Sequence, residues 1–116
     1  MSERNINLLL LDIKASITKI LEYTNGMTFE TYEVDSRTKD AVERNFEIIG
    51  EAAARIPDDF KNLYPQIEWR IIKDFRNFII HEYFGTLSNF GWMIYCMKLT
   101  HFLKAIEKTF PAIFNI

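Results

Sequence analysis

The chain has 116 residues, 48% hydrophobic, 26% charged and 15% aromatic, with four Gly, three Pro, one Cys and a formal charge of −2. That length suits one domain, residues 1–116, whose single core is small enough for dimerisation to add stability. Scarce Gly and Pro argue against a turn-rich β fold, and the slight acidity excludes a uniformly basic nucleic-acid binder, so contact with a polyanion has to be local.

Ser2 is a candidate N-cap, after which Ile6, Leu9, Leu10, Ile13, Ile17, Ile20 and Leu21 recur at spacings of three and four. This predicts an amphipathic helix through Tyr23, closed by Asn25-Gly26. The apolar run Leu8–Leu11 is cut by Asp12 and Lys14, far short of the roughly 20 residues a membrane span needs. The start has neither a basic leader nor a small-residue cleavage site, so no membrane association is expected and the cytoplasm is the expected compartment. Met27 to Val34 reads as a turn or one-turn helix with Thr28 as its cap. Asp35 or Ser36 then caps a second long helix to about Ile56, with Val42, Phe46, Ile49, Ala53 and Ile56 as its apolar seam. Arg44, Glu47 and Glu51 lie off that seam. They form a solvated face, or else Arg44 and Asn45 line a cleft beside the third helix.

Pro57-Asp58 stops the second helix, and Asp58 to Pro65 reads as a short connector. A third helix is expected from near Ile67 to near Gly85, and a fourth, capped by Ser88 or a neighbour, through Phe110. The apolar face of the fourth is Trp92, Tyr95, Cys96, Leu99, Phe102, Leu103, Ile106 and Phe110. His101, inside this helix without a partner motif, reads as structural. Pro111 ends the helix, and the apolar tail 112–116 is expected to dock on the body or on a second subunit. Four long helices with short links predict an all-α, antiparallel four-helix bundle with short connecting helices. The lone Cys96 permits no intrachain disulfide and reads as a buried structural thiol in a reducing compartment. No metal-ligand spacing or phosphate loop occurs, so neither metal nor cofactor is expected.

The third helix contains the densest chemistry, the stretch from Asp74 to Gly85 with Arg76, Asn77, His81 and Tyr83. On a helix, Arg76 and His81 are about 140° and about 7.5 Å apart, so they do not share a face. Asn77 and His81 do share one, and Arg70, Lys73 and Arg76 step along one side. These cations with His81, extended by Arg44 from the second helix, make the expected RNA-binding patch.

Arg76, Asn77, three residues, His81, one residue and Tyr83 resemble the Arg-x4-His-x-Tyr motif of the HepT toxins, a branch of the HEPN superfamily. The resemblance extends to Arg44–Ala52, which resembles the family's second helix, to Ile67–Arg70 before the motif, and to His81–Gly85 at its exit. Thr86-Leu87-Ser88 departs from the family's usual continuation. The resemblance implies a HEPN-type bundle that pairs as a homodimer, with a composite cleft at the interface. It also implies the toxin of a type VII-like toxin–antitoxin system, a metal-independent endoribonuclease acting on RNA such as tRNA or mRNA. Its antitoxin would be a small nucleotidyltransferase that transfers AMP from ATP onto Tyr83.

By residue type, His81 suits proton transfer at the 2′-hydroxyl or the leaving oxygen. Arg76 suits the charge on the five-coordinate phosphorus. Asn77 suits orientation of the imidazole or a phosphate contact. One copy of the motif supplies only one histidine, and a two-fold axis would supply the second set. AMP on Tyr83 would bring negative charge and bulk two residues from His81. Alternatives are a non-catalytic HEPN module that binds nucleotide or substrate for its nucleotidyltransferase, and a helical interaction scaffold.

Overall fold

The computed structural model describes residues 3–72 and 89–114, with side chains over 5–72 and 96–114. The described residues are helices and turns, with no strand among them. They comprise α1 (Glu3–Tyr23), α2 (Phe29–Glu33), α3 (Ser36–Arg55), α4 (Asp58–Asn62), helical residues 70–72, α5 (Asn89–Thr109) and α6 (Pro111–Phe114).

The three long helices form where periodicity predicted them. Leu10, Ile13, Ile17 and Ile20 of α1 meet Val42, Phe46, Ile49 and Ile56 of the α3 segment, all at most 1% exposed, in one hydrophobic cluster. The α1–α3 contact is the main helix pairing among the described residues, and α5 adds Leu99, Phe102 and Ile106 to the same cluster. Each of these side chains recurs every three or four residues, so one stripe per helix leaves water.

Local chemistry sets the boundaries. Thr24 Oγ1 donates to the Ile20 carbonyl at 2.8 Å, and Gly26, at φ 77°, takes the left-handed turn that ends α1. Thr28 caps α2 reciprocally: its hydroxyl accepts from Thr31 N–H at 3.2 Å while Thr31 Oγ1 accepts from Thr28 N–H at 3.0 Å. Asp35 caps α3, accepting from Thr38 N–H at 3.0 Å and from its hydroxyl at 2.8 Å. Pro57 is the N-cap of α4. After Thr109 the chain breaks at Phe110 and re-forms the single turn α6.

The tail docks on the body, as Ile113 and Phe114 pack against the core cluster. Lys14 ties it down, its ammonium 5.0 Å from the Phe114 ring centroid and 3.5 Å from Glu107. Phe110 closes this end over Phe60 and Tyr64, with ring centroids 5.8 and 4.7 Å away.

The third helix does not begin at Ile67; helical backbone starts at residue 70. Pro65 lies in a turn, and Ile67 is only 3% exposed, drawn inward as a plug. The N–H groups of Ile67 and Trp69 therefore satisfy the Tyr64 and Ile67 carbonyls at 3.1 and 3.0 Å, bonds of a turn rather than a helix. The rest of the expected third helix, the Ser2 and Ser88 caps and the side chains of Trp92 and Tyr95 lie outside the described residues.

Candidate functional site

Arg76, Asn77, His81, Tyr83 and Lys73 lie outside the described residues, so the site is approached from the surfaces that lead to it. Arg70, on the first helical turn before the motif, is exposed. It borders a groove of about 720 Å³ between α3, α4 and the segment 69–72, lined also by Glu47, Glu51, Asp58, Lys61 and Trp69. Three carboxylates therefore accompany the two cations there. The indole Nε1 of Trp69 is buried with no hydrogen-bond partner among the described residues, and the ring stands edge-on to Phe102 at 6.4 Å.

Arg44 is exposed on α3 and pairs with Glu47 at 3.5 Å, one turn along, in the helix-supporting arrangement that spacing predicted. It is not among the described residues lining Arg70's groove, although its partner Glu47 is. Asn45 is 6% exposed, and its Nδ2 donates to the Ala41 carbonyl at 2.8 Å within its own helix; the motif helix whose cleft it was expected to line lies outside the described residues. That bond uses one of the two N–H donors of the amide.

On α5 one expectation is corrected. Cys96 is half-buried at the margin of the core, because at its position the helix turns from the core face toward solvent. His101, read as structural, is exposed, and with Met97 and Lys98 it lines a second groove, of about 460 Å³, whose other bank is Gln66, Glu68 and Ile71. An additional cationic surface therefore exists beside the one expected around Arg70. Lys98, His101, Lys104 and Lys108 recur at intervals of three and four. The sequence signal was present but was masked by the apolar pattern on the other side of the same helix.

Among the described residues, no group of three His, Cys, Asp or Glu is placed to hold a metal ion. Within the same residues, no helix is long and apolar enough to cross a membrane.

The family model described as ribonuclease HepT-like matches residues 13–109. The chain is 47% identical over 81 residues to a probable ribonuclease HepT of Thermococcus cleftensis, covering 70% of this chain and 74% of the relative. It is also similar to two Methanocaldococcus jannaschii proteins named as candidate RNases. One is 37% identical over 93% of this chain and 89% of the relative, the other 32% identical over 92% and 98%. No solved structure matches the chain significantly.

Proposed function

The chain belongs to the HepT-like ribonuclease family, and from that membership we propose that it is a metal-independent endoribonuclease, a single helical domain active as a homodimer. The observation that carries this reading is the family match over residues 13–109, which contains the whole Arg76–Tyr83 motif. His81 removes the proton from a ribose 2′-hydroxyl, whose oxygen bonds to the adjacent phosphorus as the bond from phosphorus to the 5′-oxygen breaks. The second His81 of the dimer protonates the departing oxygen, leaving a 2′,3′-cyclic phosphate and a 5′-hydroxyl. Arg76 holds the charge that accumulates on the phosphoryl oxygens, and Asn77 orients the imidazole. Arg70, Lys73 and Arg44 supply attraction along the strand.

The same reading makes the protein the toxin of a type VII-like pair. Its nucleotidyltransferase antitoxin moves AMP from ATP to the Tyr83 oxygen with release of pyrophosphate. The added phosphodiester repels and blocks RNA beside His81.

The test is cleavage of total tRNA and of a short RNA in EDTA by the partner-free protein, beside a folded, dimeric His81→Ala variant. Loss of cutting in the variant alone is expected. If neither protein cuts while the wild type binds nucleotide or the partner enzyme, the ribonuclease is replaced by the non-catalytic HEPN binding module. For the antitoxin, coexpression should add one AMP mass to the peptide containing Tyr83, and its persistent absence would remove that mode of control.

A further inference from the structure

Charge is unevenly spread along this chain: residues 89–116 carry a net +2 and the rest −4. The excess sits on α5, where Lys98, His101, Lys104 and Lys108 are all exposed. Helical geometry puts them within an arc of about 120° over a rise of about 15 Å, turned away from the buried face of Leu99, Phe102 and Ile106.

The acidic residue of α5, Glu107, does not neutralise this row, because it bends toward α1 and pairs with Lys14 at 3.5 Å. None of the row's lysines makes an ion pair among the described residues. Met97 lies in the same arc one turn before His101 and is 65% exposed, an apolar side chain left in water beside four basic ones. The row borders the groove whose other bank is Gln66, Glu68 and Ile71, the segment that leads by sequence into Arg76.

We propose that this face of α5 is an exosite that holds single-stranded RNA outside the cleavage motif. Lysines at helical intervals of three and four contact successive phosphates, while Met97 and the His101 ring give the bases an apolar surface to lie on. Glu68 on the facing bank keeps the phosphates on the α5 side. The inference rests on the ribonuclease reading for its choice of polyanion, but binding here does not require chemistry at His81.

The experiment measures binding of the full chain to a fluorescent 2′-O-methyl oligoribonucleotide, which lacks the attacking hydroxyl and cannot be cut. Titrations at several salt concentrations compare the wild type with the triple variant Lys98→Gln, Lys104→Gln, Lys108→Gln. Loss of three phosphate contacts should weaken binding about ten-fold or more and reduce the salt slope by roughly 2. The triple arginine variant should restore both, and Met97→Ser should weaken binding with the salt slope unchanged. A second triple variant, Lys19→Gln, Arg37→Gln, Arg55→Gln, removes the same charge from exposed positions elsewhere. If it weakens binding equally, attraction is to net charge and the exosite is refuted. Wild-type binding and slope in the α5 variant would also overturn it, leaving that face to an acidic protein surface. Cleavage of ordinary RNA is followed in parallel: an active enzyme with an inert α5 face sinks the exosite alone, and an inactive one that still binds through α5 sinks the ribonuclease alone.

Discussion

Cys96 shows how position within a helix turn sets the chemistry of one side chain. Half-burial pushes its thiol above the ordinary value of 9.0 because the thiolate would lose hydration. The folded protein should therefore react with iodoacetamide at pH 8 more slowly than the urea-unfolded chain, and equal rates would mean that the thiol ionises freely. The linkage has a definite sign. The folded thiol keeps its proton longer than the unfolded one, so its contribution to stability is complete below about pH 9 and is lost as pH rises beyond it. Arg44 illustrates the opposite limit. Its 3.5 Å pair with Glu47 joins two well-exposed groups, and exposed pairs of that kind contribute ~0–1 kcal/mol.

The elements were legible where one face of a helix is apolar. The seams of α1 and α3, the Thr28 and Asp35 caps and the Asn25-Gly26 stop followed from side-chain periodicity and local hydrogen bonding, and the docking of the tail from its apolar composition. Two features needed tertiary information. Ile67 fits a helical pattern as well as an inward-facing turn, and only its backbone hydrogen bonds decide between them. The burial of Asn45 and its bond to Ala41 are likewise seen only in the structure. Of the candidate site, residue types and spacing were readable, whereas the proposed convergence of two motifs across a dimer depends on two chains, which helical periodicity does not describe. Asp35 supplies a prediction at this scale. Its carboxyl is held below its ordinary value chiefly by the Thr38 N–H bond and then by the Thr38 hydroxyl. The cap is intact above pH 3.8, and its contribution fades as pH falls below that value through the folded one. Asp35→Ala should lower the melting temperature at neutral pH, and the gap from the wild type should narrow in acid. A constant gap would mean that the carboxylate is not what caps α3.

At the scale of the molecule, the packing of the described residues is concentrated where α1 and α3 meet. Phe46 is 1% exposed inside that interface, and Phe46→Ala should cost about 3–5 kcal/mol, a large share of the roughly 5–15 kcal/mol typical of domains. Urea unfolding should show a lower midpoint at unchanged slope, with Ile13→Val, also fully buried, losing only about 0.5–1.5 kcal/mol. The α1–α3 pairing bears on more than stability. Both helices lie within the first 55 residues, joined through the short turn of α2, so their contacts span modest sequence distances and close with little loop entropy. During synthesis this half of the core can therefore assemble before the Arg76–Tyr83 segment has emerged from the ribosome, so the chain gains a folded base before the proposed motif is presented.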